Sequence, residues 1–144
     1  MNTMVERELE LTFVLSSDRR VPVPARLIYR TDDPYAVHIT FHTASDHPVH
    51  WTFARELLAE GLFRPSGTGD VRIWPATPDD RGALLLALSS PQGEALLEAS
   101  AAVVSGWLER TLRLVPPGAE SERLGMDNGL AELFASSEGE SQSG

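Results

Sequence analysis

Apolar and polar residues alternate along the first third of the chain. From Glu6 to Leu15, one set of alternate positions holds glutamate and threonine, and the other set holds leucine and phenylalanine. Such alternation predicts a β-strand with one face in the core and the other in solvent. The same period, interrupted by turn-forming residues, predicts three further strands at 21–30, 35–43 and 49–53. Because proline cannot donate to a ladder, Pro22 and Pro24 are expected to place the start of the second strand toward a sheet edge.

The alternation of apolar and polar residues stops after residue 53. Residues 54–60 are good helix formers and precede Gly61, so they predict a short helix. Apolar residues from Ala101 to Val115 recur at helical spacing and predict the main amphipathic helix, with Ser100 as its N-cap. The remaining predicted elements are strands at 71–74, 83–89 and 94–99 and a short helix at 130–134. Together they predict an α+β domain built on an antiparallel sheet of about seven strands.

The length and composition fit one globular domain. With 144 residues, of which 42% are hydrophobic and 23% charged, the chain is long enough to bury a single core. We expect one domain over residues 1–135. The segment 136–144 contains only serine, glycine, glutamate and glutamine, so we expect it to be a disordered acidic tail.

The formal net charge of -9 disfavours the phosphate attraction on which most nucleic-acid binders rely. This charge is unevenly distributed. Residues 1–115 contain 11 basic and 15 acidic side chains, whereas residues 116–144 contain one basic and six acidic side chains. Because the first region is nearly balanced, net charge alone is weak evidence against nucleic-acid binding there.

Several chemistries are excluded by what the sequence lacks. With no cysteine, there is no disulfide framework, no thiolate zinc site and no cysteine nucleophile. The first residues lack a basic stretch followed by an apolar one, as a secretory signal would have. The longest apolar run is the six residues Ala83 to Leu88, whereas a membrane span needs about 20. We therefore expect a cytoplasmic protein without a transmembrane segment.

A histidine cluster is the only metal-like group in the sequence. It consists of His38, His42, His47 and His50. His38 and His42 lie about 13 Å apart on one strand, too far to share an ion. Matching apolar faces sets Phe41 opposite Trp51 and His42 opposite His50, with the remaining histidine in the loop above. No cysteine or spaced carboxylate completes a tetrahedral set, so we expect a surface pair, with a metal site as the alternative.

A set of arginines near the first turn is the main candidate for a nucleic-acid surface, with Tyr29 available for stacking. The set is Arg19, Arg20, Arg26 and Arg30. Strand register argues against this function. Matching apolar faces places Leu15 opposite Val21 and Leu11 opposite Ala25, which predicts the outer pairs Glu10–Arg26 and Glu6–Arg30. The glutamates would then neutralise the arginines, and Tyr29 would point to the apolar face.

No catalytic set emerges from the remaining motifs. Gly67-Thr68-Gly69-Asp70 precedes a strand and lacks the further glycines or lysine of a phosphate loop, so it predicts a tight turn. The sequence contains no Gly-x-Ser-x-Gly elbow. The paired acids Asp32-Asp33 and Asp79-Asp80 lie beside prolines in predicted turns. The tryptophans at 51, 74 and 107 fall on apolar positions, which indicates core packing or a subunit interface. We expect no enzyme activity and no cofactor.

Four sequence blocks together resemble one known family. They are Asp33-Pro34-Tyr35-Ala36-Val37-His38, the run from Trp51 to Gly61, the run from Gly67 to Pro75, and the run from Ala87 to Ala99. On these blocks the chain resembles the SsgA-like sporulation and cell-division proteins of filamentous actinomycetes, and within that family the SsgB branch. The resemblance extends from about Met1 to about Phe134 and excludes the tail.

The resemblance implies a non-enzymatic protein at developing division septa. Family members of this branch recruit the tubulin-like protein FtsZ to future division sites and promote its assembly, and an SsgA-like paralogue helps to place them. The family fold is an antiparallel sheet with helices, assembled as a bell-shaped homotrimer similar to whirly-type single-strand nucleic-acid binders. That similarity makes a single-stranded nucleic-acid-binding regulator the alternative function. The resemblance assigns no partner-contact residues, and we expect no stable nucleic-acid binding.

Overall fold

A computed structural model describes residues 3–42, 47–76 and 82–122. These residues form seven strands and two helices, in agreement with the elements predicted for this part of the chain. The strands are β1 (Met4–Ser16), β2 (Arg19–Arg30), β3 (Ala36–Phe41), β4 (Val49–Ala54), β5 (Val71–Pro75), β6 (Ala83–Ser90) and β7 (Gly93–Ser100). The helices are α1 (Arg55–Gly61) and α2 (Ala101–Leu114). The predicted helix at 130–134 and the predicted disordered tail at 136–144 lie outside the described residues.

All seven described strands form one antiparallel sheet, in the order β4-β3-β2-β1-β7-β6-β5. The short helix α1 contacts both β4 and β5, which are the two edge strands of that order. The sheet must therefore curl, since its two edges reach the same helix. The α+β class and the antiparallel sheet predicted from the sequence are confirmed.

One face of the curled sheet, which we call the inner face, carries the hydrophobic core. Alternate residues of every strand point there, and α2 contacts β1, β7 and β6. The side chain of Ser100 caps α2 by accepting a hydrogen bond from Val103 N at 3.3 Å, as predicted. The fully buried sheet residues include Leu11, Tyr29, Val37, Ile39, Ile73, Leu84 and Leu97. Among the residues described, no helix is both long and apolar enough to cross a membrane.

The β1–β2 hairpin turns more tightly than the apolar pattern predicts. The pattern favours a turn over residues 16–20 and places Leu11 opposite Ala25. In the structure, Leu11 lies opposite Val23, and the turn is made by residues 17–18 next to a β-bulge. The predicted register was therefore wrong by two residues. A shift by an even number leaves each side chain on its predicted face, which is why the predicted inner face is correct.

The two prolines of β2 lie in an interior strand but leave its ladders intact. His42 N donates to Pro24 O at 3.0 Å, so the even-numbered residues of β2 turn their backbone groups toward β3. The missing N–H groups of Pro22 and Pro24 would have pointed to that side, away from β1. Because the described β2–β3 ladder starts only at Ala25, the first half of β2 is locally an edge.

We predict that Gly61→Ala destabilises the protein by about 1–3 kcal/mol. Gly61 ends α1 against β5, and a Cβ atom there would lie 2.6 Å from Ile73 Cβ and 3.1 Å from Ile73 O. The helix and the strand would have to separate to admit a methyl group. Urea unfolding followed by circular dichroism measures the loss. Gly69→Ala is the control, since nothing lies within 4 Å of its Cβ position, and a Gly61 variant as stable as this control would contradict the prediction.

Candidate functional site

A buried arginine organises the site where α1, α2 and the segment after α2 meet. Arg55 is the first residue of α1 and is only 2% exposed. Its Nη1 donates to Thr111 O at 3.1 Å, and its Nη2 forms an ion pair with Glu120 Oε2 at 2.7 Å. The guanidinium carbon lies 4.9 Å from the centre of the Tyr29 ring. The charge of Arg55 is therefore satisfied by groups from β2, from α2 and from the segment that follows α2.

The segment after α2 is folded back so that Glu120 can reach Arg55. Gly118 adopts a φ of 88°, in the left-handed region that favours glycine. Its N–H donates to Glu120 Oε1 at 2.9 Å. Both carboxylate oxygens are thus bound, one by the arginine and one by the backbone. The turn at Pro117 and Gly118 consequently orients a carboxylate into the protein.

The pKa of Glu120 is set by opposing effects. Partial burial raises the pKa of the carboxyl group, but the hydrogen bonds from Arg55 and from the backbone of Glu120 and Gly118, together with the charge of Arg55, lower it. The pKa therefore lies below its ordinary value. Because the folded-state pKa is depressed, the carboxylate stabilises the fold above the unfolded-state pKa. This contribution is lost as the pH falls through the folded-state pKa.

We predict that Glu120→Gln makes stability less dependent on pH in acid. At pH 7 the variant is expected to lose about 1.5–3 kcal/mol, the typical contribution of a hydrogen bond to a charged group. As the pH falls from the ordinary glutamate pKa of about 4.3 through the lower folded-state pKa, the two proteins should converge because the wild-type carboxylate becomes protonated. Urea unfolding at a series of pH values measures both curves. Parallel curves for the two proteins from pH 7 to pH 3 would show that the pair contributes nothing to acid sensitivity.

A surface groove opens beside the Arg55–Glu120 pair. Its volume is about 380 Å³, and small and apolar side chains line most of it. Tyr35, 49% exposed, lies at the groove, and its backbone oxygen accepts a hydrogen bond from Arg55 N at 2.7 Å. The other lining residues include Ala54, Ala59, Leu112 and Pro117. Arg55 and Glu120 are locked in one ion pair, and the described lining also includes the exposed carboxylate of Glu56 but no histidine or lysine. The groove is therefore suited to binding rather than to proton transfer.

His38 on β3 and His50 on β4 lie on the outer face, but not in the predicted register, and His42 and His47 lie beyond the ends of these strands. His50 lies opposite Thr40, not opposite His42, and the two side chains form a hydrogen bond at 2.9 Å. His38 contacts Asp33 Oδ2 and Thr52 Oγ1, each at 3.0 Å. The predicted pairing of His42 with His50 was wrong, again by two residues. In the described ranges, no group of three or more histidine, aspartate or glutamate side chains is arranged to hold a metal ion.

Among the described residues, three of the four arginines near the first turn form ion pairs, and Arg19 does not. Arg26 lies opposite Glu8 and contacts its carboxylate at 3.2 Å, with Glu6 at 4.0 Å. Arg30 pairs with Asp32 at 3.1 Å. The predicted pairs Glu10–Arg26 and Glu6–Arg30 were therefore wrong, because of the two-residue shift in register. Neutralisation by acidic neighbours is nevertheless observed for Arg20, Arg26 and Arg30, and Tyr29 is fully buried on the inner face.

The three tryptophans differ in burial. Trp107 is 2% exposed, and its Nε1–H donates to Val5 O at 3.2 Å. Trp51 and Trp74 are only half-buried. Core packing is therefore confirmed for the buried Trp107 and for Trp51, which is partly buried and packs against the core. Trp74 lies on the outer face of β5, opposite Leu85.

The Arg55–Glu120 pair was not predicted from the sequence. A signal was present, since Arg55, Leu58 and Gly61 recur at helical spacing and form the buried stripe of α1. A charged residue on such a stripe needs a partner of opposite charge. The identity of the partner was not accessible, because Glu120 lies 65 residues further along the chain.

Comparison with known proteins places the chain in a family. A family model described as "Streptomyces sporulation and cell division protein, SsgA" matches residues 23–120, which is more than half of the chain. The chain belongs to the SsgA family. The match includes Arg55 and ends at Glu120, so both members of the buried pair fall within the SsgA region.

Curated relatives within the SsgA family match over nearly their whole length. The sporulation-specific cell division protein SsgB of Streptomyces coelicolor is 54% identical over 137 residues, which covers 95% of this chain and 100% of the relative. The protein of the same name from Thermobifida fusca is 45% identical over 130 residues, covering 90% of this chain and 94% of the relative.

Two solved structures share the fold. One is described as "Mutations in SsgB correlate to longitudinal cell division during sporulation of Streptomyces coelicolor". It has a TM-score of 0.80 and 57% identity and covers 85% of this chain and 97% of that chain. The other is an SsgA-like sporulation-specific cell division protein from Thermobifida fusca. Its TM-score is 0.81 at 45% identity, covering 91% of this chain and 96% of that chain.

Proposed function

We propose that this protein is a non-enzymatic, sporulation-specific cell-division protein. In this proposal it marks septum sites, recruits FtsZ and promotes its polymerisation, with an SsgA-like paralogue helping to place it. The observation that supports the proposal most strongly is the 54% identity to a protein named SsgB across the full length of that relative. Identity over the whole chain includes the surface as well as the core, and interaction sites lie on the surface.

The surface chemistry supports a binding protein rather than an enzyme. In the Arg55 groove, Arg55 and Glu120 are already paired with each other, and the remaining charged side chain of the described lining is the exposed carboxylate of Glu56. On the outer face, His38 contacts Thr52 and Asp33 and His50 contacts Thr40, but neither histidine lines the Arg55 groove. A general acid or base must instead be within reach of a substrate proton.

The charge arrangement also favours a protein partner over single-stranded nucleic acid. A nucleic-acid groove needs free cations beside exposed aromatic rings. In the arginine set near the first turn, Arg20, Arg26 and Arg30 are paired with acids, and Arg19 is the member without an ion pair among the described residues. The aromatic ring nearest to them in sequence, Tyr29, is buried.

We further propose a homotrimer as the working assembly, located in the cytoplasm at division septa. A symmetric trimer presents three copies of each surface site. When a filament offers many identical subunits, three weak contacts add through effective concentration to strong local binding. Filament ends and short nuclei would be stabilised in this way, which is how a protein without catalytic activity promotes polymerisation.

Co-sedimentation with FtsZ polymers tests the proposal. The chain is expected to pellet with FtsZ in the presence of GTP and to increase the polymer fraction. Bovine serum albumin is the control for trapping. A mobility-shift assay with single-stranded DNA at low salt runs in parallel and should show no complex. No effect on FtsZ together with a clear DNA shift would replace this function with the nucleic-acid alternative.

A further inference from the structure

One edge of β1 has backbone groups that face away from its neighbouring strand. Thr31 N donates to Thr3 O at 2.9 Å, so the odd-numbered residues at this end of β1 turn their N–H and C=O groups toward β2. The even-numbered residues Glu6 and Glu8 therefore turn theirs to the opposite side. On that side, the described ladder with β7 consists of Thr12↔Glu98 and Phe13↔Leu97. The ladder ends before it reaches Glu8, and the chain continues as α2.

A groove lies between this edge of β1 and one side of α2. Its volume is about 280 Å³, and its lining includes Arg7 on β1 with Gly106, Trp107 and Arg110 on α2. Arg7 and Arg110 are exposed, and neither forms an ion pair within the part of the chain that the structure describes. Two cations beside the same groove favour an acidic occupant.

Gly106 is a second sign that something approaches this side of α2. Glycine in a helix interior is less favourable than alanine. A Cβ atom at Gly106 would have nothing within 4 Å, so packing of the described residues does not require glycine there. Absence of a side chain keeps the groove open to an approaching backbone.

We propose that the edge of β1 at Glu6 and Glu8 binds an extended segment of a partner protein as an added β-strand, with an acidic side chain of that segment between Arg7 and Arg110. An added strand has side chains that alternate between the two faces of the sheet. On the outer face they would lie beside Glu6 and Glu8, two carboxylates that share the single cation Arg26, and the remaining negative charge favours basic residues. On the inner face they would lie beside Arg7, which favours an acid flanked by apolar residues next to Val5 and Leu9.

Charge argues against a second copy of β1 as the occupant. A two-fold antiparallel β1–β1 pair that keeps both inner faces together would place glutamates opposite glutamates on the outer face. Like charges in directly opposed positions are destabilising, and charged edges are a common means of preventing self-association. The partner is therefore a segment with alternating charge, which this site recognises whichever protein supplies it.

Two synthetic peptides with the same composition test the proposal. The first, Lys-Val-Lys-Glu-Lys-Val-Lys, places valine, glutamate and valine on one face. The second, Lys-Lys-Val-Val-Glu-Lys-Lys, has the same charge without the alternation. Fluorescence anisotropy with the full chain is expected to show at least tenfold tighter binding of the alternating peptide. Equal affinities would mean that both basic peptides bind only through the overall negative charge of the protein, and the proposal would be wrong.

Amide hydrogen exchange locates the bound peptide. In the free protein, the amide of Arg7 should exchange slowly because it faces β2, and those of Glu6 and Glu8 should exchange fast. The alternating peptide is expected to slow amide exchange at Glu6 and Glu8 at least tenfold and to leave the exchange rate of Arg7 unchanged. Slow exchange of Glu6 and Glu8 in the free chain would overturn the proposal. If that slow exchange depended on protein concentration, a second copy of the chain would be covering the edge. If it did not, another segment of the same chain would be covering it.

Matched variants separate the backbone contact from the side-chain charge. Glu8→Pro removes an outward N–H, as edge strands tolerate, and should abolish binding of the alternating peptide, whereas Glu8→Ala keeps the N–H and should reduce it only two- to fivefold. Gly106→Gln fills the groove with a good helix former and should weaken binding at least tenfold. The melting temperatures of all three variants are measured first. If Glu8→Pro fails to fold, the Gly106→Gln variant is the test. Peptide binding by that variant as tight as by the wild type would show that the proposal is wrong.

Discussion

Replacing Trp107 with alanine is expected to destabilise the protein by about 3–5 kcal/mol, the range typical for removal of a buried aromatic side chain. Trp107 is 2% exposed and lies between α2 and the inner face of the sheet. Its loss leaves a cavity there and removes the hydrogen bond to Val5 O. Because small domains have about 5–15 kcal/mol of stability in total, the variant should unfold at much lower urea concentration.

The matched control is Trp74→Ala, the same substitution at a half-buried position on the outer face. It should cost less than half as much, since Trp74 buries less surface and leaves no enclosed cavity. Urea unfolding of both variants, followed by circular dichroism, provides the comparison. Equal losses would mean that Trp107 is not the principal contact between α2 and the sheet.

Replacing Arg55 with alanine is the second change for which we expect a large effect, about 3–5 kcal/mol. The substitution leaves Glu120 partly buried without its cation and removes a donor to Thr111 O. It also removes the guanidinium from the Tyr29 ring. The segment after α2 should detach from α1, which is measurable as faster hydrogen exchange at Gly118 and Glu120.

Two comparisons show whether the burial of Arg55 is the cause of the stability lost in Arg55→Ala. Arg30→Ala breaks the exposed pair with Asp32 and should cost at most about 1 kcal/mol. The double variant Arg55→Met with Glu120→Leu replaces the ion pair by apolar side chains and should recover part of the stability lost in Arg55→Ala. If Arg55→Ala loses no more than Arg30→Ala, the Arg55 pair does not hold the segment after α2 in place.

Much of the fold was predictable because strands and helices have different periods. Strict alternation in β1 and helical spacing in α2 placed those elements close to their observed bounds. Register was not predictable to better than two residues. Apolar faces match equally well when a strand slides by two positions, and the choice depends on how many residues form the turn. For the first hairpin, the tight turn at residues 17–18 fixed the register of β1 against β2.

The candidate site was less predictable than the fold. The candidate residues indicated by the sequence are histidines and arginines that are clustered along the chain. In the structure, the described contacts of His38, His50 and Arg26 are local pairs on the outer face. The pair that organises the groove, Arg55 and Glu120, is separated by 65 residues. Residues that only the tertiary fold brings together have no regular spacing in the sequence, so their contact cannot be predicted from the sequence pattern.

The sequence by itself determined the class of fold, the inner face of the sheet and the family of the chain, because hydrophobic periodicity and extended sequence blocks are local properties. The tertiary structure alone decided the partners: Glu8 for Arg26, Thr40 for His50 and Glu120 for Arg55. It also decided that the β7 ladder stops before Glu8, which leaves one edge of β1 facing a groove. These features depend on register and on how elements pack, and both are set by the free energy of the whole folded chain rather than by any one segment.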